Sequence, residues 1–377
     1  MRRLDRTTAP GPLPDGEIRI VHLGLGAFHR AHQAVLTQQA GDGWAICAVA
    51  QRSTAVRDAL RLQDNVFTVA EGDRLTVVGS IREVLHAGAE PDLVTARLSE
   101  VDVVTVTVTE AGYRPDGPVV AQLVRGLRAR KTGLTVISCD NLTDNGRILE
   151  RLVLDACEPE LREWVAEHVA FPSSVVDQIV PATTEDDLRA ISARLGLVDR
   201  AAVVAEPYRS WVIEDRFAGP RPAWDARFTD DIDRAQKAKL RLVNGTHSAL
   251  AYLGMLAGYE TTGQVAVVPE FAEYVRRLVT ETGRGLDPDP DALLARFANP
   301  AIAHRLEQIG TDGEHKLPQR LVAPAMELLA AGDEPRMICL ALAAYKGDVV
   351  PDELAPLVAD AARRLDRDGV LATLRRL

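Results

Sequence analysis

The segment Ile18–Leu23 (IRIVHL), rich in β-branched residues, runs into Gly24-Leu25-Gly26 and then into a helical stretch, Ala31 to Gln39. A strand that ends in a glycine turn and feeds a helix opens a right-handed βαβ crossover, which commits the chain to a mainly parallel sheet. The two glycines let the backbone turn tightly and approach a pyrophosphate lying at a positive helix N-terminus. Gly24, Gly26, Ala27, Phe28, His29 and Arg30 are therefore the candidate cofactor contacts. The third glycine of the G-x-G-x-x-G pattern is absent, because His29 takes its place. Taken alone, such a turn is also compatible with no ligand at all.

The βα pattern continues. Trp44–Ala50 reads as a buried strand, Leu75–Ile81 as a weaker one, and Asp102–Thr109 alternates with period two. A helix over Val119–Arg130 leads to the next strand, Leu134–Ser138. After about Arg200 the character changes. Apart from short strands near Ala201–Ala205 and Trp211–Glu214, the patterns from Asp233 onward are helical: 235–256, 269–282, 290–297, 317–331, 337–346 and 351–374. The expected architecture is α/β: a Rossmann-type, mainly parallel sheet domain over 1–200, followed by a mostly α-helical substrate and catalytic domain over 201–377. A length of 377 residues suits about two domains.

Composition excludes several alternatives. A net charge of -10 argues against nucleic acid or an anionic membrane surface as partner. No window approaches the roughly 18 uninterrupted apolar residues of a membrane helix, and a charged start without an apolar run fits a cytoplasmic location. Cys47, Cys139, Cys157 and Cys339 form no CxxC pair, so buried thiols are expected rather than disulfides or zinc. His29 and His32 share a helix face, but no HExxH or acid cluster accompanies them, and no metal is expected.

Two strand ends carry polar residues where ligand groups gather. Ser138-Cys139-Asp140-Asn141 follows Leu134–Ser138 and is equally readable as a helix N-cap pair. Thr109-Glu110-Ala111-Gly112-Tyr113 follows Asp102–Thr109, with Thr109 and Glu110 as possible cofactor contacts and a plain turn as the alternative. The second strand ends without the acid that ordinarily binds the adenosine ribose. Gln51 offers a hydrogen bond to a 2′-hydroxyl and Arg52 a cation for a 2′-phosphate, leaving NAD and NADP both open.

The chemistry-bearing run is Gln236–Gly254 (QKAKLRLVNGTHSALAYLG). At ~100° per residue, Asn244 and His247 fall about one turn apart and Lys239 lies on the same half of the helix. Oxidising a secondary alcohol needs a base and donors for the developing alkoxide. A lysine shielded from water serves the first role and an asparagine amide the second. The competing explanation is a snorkelling lysine with core or capping Asn and His. Gly245 is a poor helix former, so close approach of a cofactor or of another backbone is expected there.

Together these blocks resemble the polyol-specific long-chain dehydrogenases, the family of mannitol 2-dehydrogenase and fructuronate reductase. The resemblance runs from about Ile20 to Gly347. It rests on Val21–Gln33 (VHLGLGAFHRAHQ), Thr107–Tyr113, Ser138–Leu142, Val176-Asp177, Glu206–Asp215 and Lys239–Leu253. It implies a Rossmann-type domain plus a helical domain, NAD(P)-dependent and metal-free interconversion of an alcohol and a ketone, and Lys239 as the base. It further implies Asn141 and Asn244 as amides on the reacting oxygen, His247 as a substrate hydrogen-bonder and Asp177 as a site residue.

The stretch Arg296–Arg320 looks closer to the fructuronate reductase branch, since mannitol dehydrogenases tend to carry an arginine where Gln308 stands. D-Mannonate/D-fructuronate is therefore ranked first and D-mannitol/D-fructose second, with a related alditol also open. Arg305, Gln308, Lys316 and Arg320 become candidate substrate contacts, the three cations for a carboxylate; singly, each reads equally well as solvated charge. The chain is shorter than typical members between Tyr113 and Leu134 and at its C-terminal end, so a missing lid or an altered pocket wall is open, either of which would change the substrate. Gln236 stands where some members carry an acid for proton traffic. A dinucleotide-binding regulator without catalysis and an epimerase that retains its hydride are the other classes compatible with the sequence, which marks no self-association surface.

Overall fold

A computed structural model describes residues 1–108, 112–299 and 304–377. The expected contacts of Thr109 and Glu110 lie outside them. The chain divides into two compact units, Met1–Asp233 and Arg234–Leu377. The division falls later than Arg200 because the segment after that residue supplies strands to the first unit.

The first unit contains β1 (Glu17–Leu23), β2 (Trp44–Ala50), β3 (Phe67–Glu71), β4 (Arg74–Val78), β5 (Ile81–His86), β6 (Val103–Val106), β7 (Leu134–Ser138), β8 (Val169–Ala170), β9 (Ser174–Asp177), β10 (Val203–Val204), β11 (Ser210–Glu214) and β12 (Arg227–Thr229). Six of them form a sheet in the order β5-β2-β1-β6-β7-β8, and every pairing in it is parallel. Counted in sequence, that is third-second-first-fourth-fifth-sixth, the doubly wound order whose switch point lies between β1 and β6. Period-two alternation builds both faces. Ile20, Ile46, Val103 and Ile137 join one buried cluster, while Val21, Cys47, Val104 and Val136 join another. Burial on both sides is why β2 has no exposed residue.

The run expected as one strand over Leu75–Ile81 straddles two. Its first part belongs to β4, which pairs antiparallel with β3 in a hairpin, and Ile81 opens the sheet strand β5. Two smaller sheets, β10-β3-β4 and β12-β11-β9, complete the unit. Among the described residues no helix is long and apolar enough to cross a membrane. All four cysteines are buried and unbridged.

The second unit is helical. Pro269–Thr282 and Pro290–Phe297 start on a proline at the first helical turn, where its missing N–H costs nothing. The stretch expected as a single helix over 235–256 is three segments: α-helix Ile232–Ala238, π-helix Lys239–Gly245 and α-helix Thr246–Leu256. A second π-helix, Pro318–Val322, precedes Ala323–Ala330.

Candidate active site

The glycine turn sits at the switch point. Gly24 has φ +117, and a Cβ on it would lie 1.9 Å from the Thr107 carbonyl oxygen. Glycine is therefore demanded there by the neighbouring strand end as well as by the backbone conformation. Gly26 differs: a Cβ there would meet only the Gly24 oxygen, at 3.8 Å. It begins the helix Ala27–Ala31 without any side-chain cap. The helix breaks at His32 and resumes over Gln33–Ala40, so the expected helix from Ala31 starts earlier and in two pieces.

Behind the turn lies a polar network. Thr107 Oγ1 donates to the Gly24 carbonyl at 3.0 Å. It therefore accepts from His22 Nε2–H at 2.8 Å, and His22 Nδ1 accepts from Thr105 Oγ1 at 2.7 Å. The His29 ring stacks on His22 at 3.4 Å. Burial lowers the His22 pKa to about 3, and burial together with neighbouring His22 holds His29 well below its ordinary value, so both rings are neutral. His29 and Arg30, expected as cofactor contacts, turn their side chains inward. Arg30 donates to the Ala201 carbonyl and, at 3.3 Å, to Gly26. A buried guanidinium needs carbonyl partners, and Ala201 and Gly26 supply them. Phe28 stacks on His32.

At the ends of β6 and β7, Asp140 accepts from the Val108 amide at 3.0 Å and from the Tyr113 hydroxyl at 2.8 Å. Tyr113 also meets Ser138. Burial and the Asp140 charge push the Tyr113 phenol well above its usual pKa, so it stays protonated. Asn145 donates to the Asp140 carbonyl and bonds both backbone groups of Ser174. That fastens the exposed segment bearing Asn141 to β9, which ends at half-buried Asp177. Asp140 and Asn141 are not the helix N-cap; Asp144 begins Asn145–Asp155. The sequence signal for this network was visible, but the roles of Asn145 and His22 were missed.

In the second unit the two π-helices meet at Gly245, where a Cβ would lie 3.0 Å from the Arg320 carbonyl. Another backbone therefore accounts for this glycine. The helix expectation of ~100° per residue fails across Lys239–Gly245, since a π-helix bonds i to i+5 and winds more widely. Lys239 and Asn244 are half-buried on it. His247 stacks on Phe297 at 4.4 Å and meets the edge of His304 at 5.0 Å. Its Nε2 is enclosed and has no hydrogen-bond partner among the described residues. Burial, then His304, Arg296 and Arg320, hold its pKa well below the ordinary value, leaving a neutral ring. Arg320 Nη1 donates to Ser248 Oγ at 3.1 Å, one residue past His247. Arg305 and Gln308 are exposed, and Lys316 Nζ is held by the Thr311 carbonyl at 2.7 Å. Of the expected substrate contacts, only Arg320 is brought to the His247 turn by these bonds.

The model of the mannitol dehydrogenase Rossmann domain matches residues 18–226, and that of the mannitol dehydrogenase C-terminal domain matches 231–347. The chain belongs to the mannitol dehydrogenase family. It is an oxidoreductase acting on a CH–OH group, with a Rossmann-type unit and a helical unit. Among relatives of this mannitol dehydrogenase family member, Escherichia coli (strain K12) D-mannonate oxidoreductase is 36% identical over 385 residues, 87% of this chain and 79% of that protein. Aspergillus fumigatus mannitol 2-dehydrogenase is 34% identical, over 86% and 77%. The solved Pseudomonas fluorescens mannitol 2-dehydrogenase, a ternary complex with NAD and D-mannitol, superposes with TM-score 0.86 at 30% identity over 99% of each chain.

Proposed function

We propose that this chain interconverts D-mannonate and D-fructuronate with a nicotinamide dinucleotide, from a cytoplasmic location. The observation that supports a sugar acid is Arg320, bonded to Ser248 beside a neutral His247 whose enclosed Nε2 has no hydrogen-bond partner among the described residues. A guanidinium suits a substrate carboxylate, and a neutral imidazole suits a hydroxyl. The first unit fits a dinucleotide. Gly26 leaves space above an uncapped helix start, and Gly24 holds the turn tight against Thr107.

When bound, the nicotinamide ring exchanges a hydride with the alcohol carbon. Lys239 takes or returns the hydroxyl proton at Nζ. By the family resemblance, Asn244 and Asn141 are the amides on the substrate oxygen and Asp177 is a further site residue. His247 orients a substrate hydroxyl. The runner-up pair is D-mannitol/D-fructose, supported by the 34% identical mannitol 2-dehydrogenase.

The test follows reduced-nicotinamide absorbance with fructuronate, tagaturonate and fructose offered in parallel. Oxidation with fructuronate far above fructose supports the sugar-acid reading. A preference for fructose replaces it with a mannitol-type activity and returns Arg320 to a structural role.

A further inference from the structure

The inference concerns the adenosine end of the dinucleotide and rests on the dinucleotide reading above. In a sheet of this order the adenosine ribose lies beyond the carboxyl end of β2, where an acid binds the 2′-hydroxyl or an arginine accommodates a 2′-phosphate. Here β2 ends at Ala50 and is followed by Gln51, Arg52, Ser53, Thr54 and Ala55, none of them acidic.

Gln51 is held in place by a reciprocal amide pair with buried Gln122, at 3.2 and 2.9 Å. The group that occupies the acid's place is thus neutral and fixed. The next peptide is fixed too. His86 Nδ1 accepts from the Gly88 and Ala89 amides, which leaves the proton on Nε2 to donate to the Arg52 carbonyl at 3.2 Å. The Arg52 side chain is exposed.

The nearby carboxylates are already engaged. Asp58 pairs with Arg57 at 2.7 Å, and Glu90 pairs with Arg61 at 2.7 Å and Arg57 at 3.7 Å. Gln51 and Gln122 line a cleft of about 690 Å³ together with Ala87, Gly88, Asp116 and Arg125. Asp116 has Arg114 at 3.9 Å, whereas neither Arg52 nor Arg125 makes an ion pair among the described residues. The balance around the β2 end is therefore cationic, and the device that repels a 2′-phosphate is missing.

We propose that this chain accepts NADPH as well as NADH, with Arg52 receiving the 2′-phosphate. A charge-assisted contact of this kind corresponds to roughly 10–100-fold in affinity.

The experiment is calorimetric titration of the whole chain with NADH and NADPH, without substrate, for the parent, Arg52→Ala and Gln51→Glu. The proposal expects a NADPH dissociation constant within tenfold of that for NADH. Arg52→Ala should weaken NADPH about tenfold or more while NADH stays within about twofold, which also shows the variant folded. Gln51→Glu should weaken NADPH selectively. Parent binding of NADPH more than tenfold weaker than NADH overturns the proposal, and so does an equal loss for both ligands in Arg52→Ala. Binding of neither ligand by the parent overturns the dinucleotide reading itself, a distinct result.

Discussion

A Cβ on Gly24 would lie 1.9 Å from the carbonyl oxygen of Thr107, at the point where β1 and β6 lead off in opposite directions across the sheet. Gly24 also sits at φ +117, so alanine there suffers both strain and overlap. Gly24→Ala should lower unfolding free energy by more than about 2 kcal/mol. Gly26→Ala, whose Cβ meets nothing closer than 3.8 Å, should stay within about 1 kcal/mol of the parent while binding NADH about tenfold more weakly. Denaturant titration and NADH binding on the two variants check the contrast.

Acid should destabilise the first unit through its histidines. His22 is neutral in the fold down to a pKa of about 3, whereas an unfolded histidine binds a proton below about 6.5. Between those values the unfolded state holds the extra proton. Stability therefore falls as pH drops through this window, by about 1.4 kcal/mol per pH unit for one such site. His22→Asn should flatten the dependence of the denaturant midpoint on pH below 6.5. An unchanged slope would mean that His22 is charged in the fold.

Lys239→Ala should cut turnover by about 10²–10⁴-fold and leave the NADH dissociation constant unaltered. Single-turnover rates and calorimetry on the same preparation separate the two effects. Retained turnover would remove Lys239 from the role of base.

At Gly245 a Cβ would press on the Arg320 carbonyl at 3.0 Å, forcing the two π-helical turns apart. Gly245→Ala should cost about 1–3 kcal/mol of stability and raise KM for the substrate, while the NADH dissociation constant, read by titration, stays within about twofold of the parent. Thermal melts together with steady-state kinetics test this.

Arg320→Ala should raise KM for fructuronate about tenfold or more while changing that for fructose far less, because only the former carries a carboxylate. Equal changes would assign Arg320 to holding Ser248 rather than substrate.

Local sequence determined the elements whose signals are short-range. The apolar run Trp44–Ala50, the short run Leu134–Ser138 and the proline-initiated helices Pro269–Thr282 and Pro290–Phe297 have the expected bounds. The glycine turn after β1 and the polar run after β7 were likewise legible, because residue type at a strand end carries them.

Tertiary structure decided what depends on distant partners. β5 is a weak strand by its own residues, half of them only partly buried, and joins the sheet because β2 offers it a parallel edge. Arg30 lies inside the dinucleotide motif, yet its guanidinium serves Ala201, far along the chain. The π-helical winding of Lys239–Gly245 has no signature in composition; it accompanies the packing of Gly245 against the Arg320 carbonyl. Periodicity reports what one segment prefers, whereas register, inward-turned charge and helix winding follow from which other segment fills the space beside it.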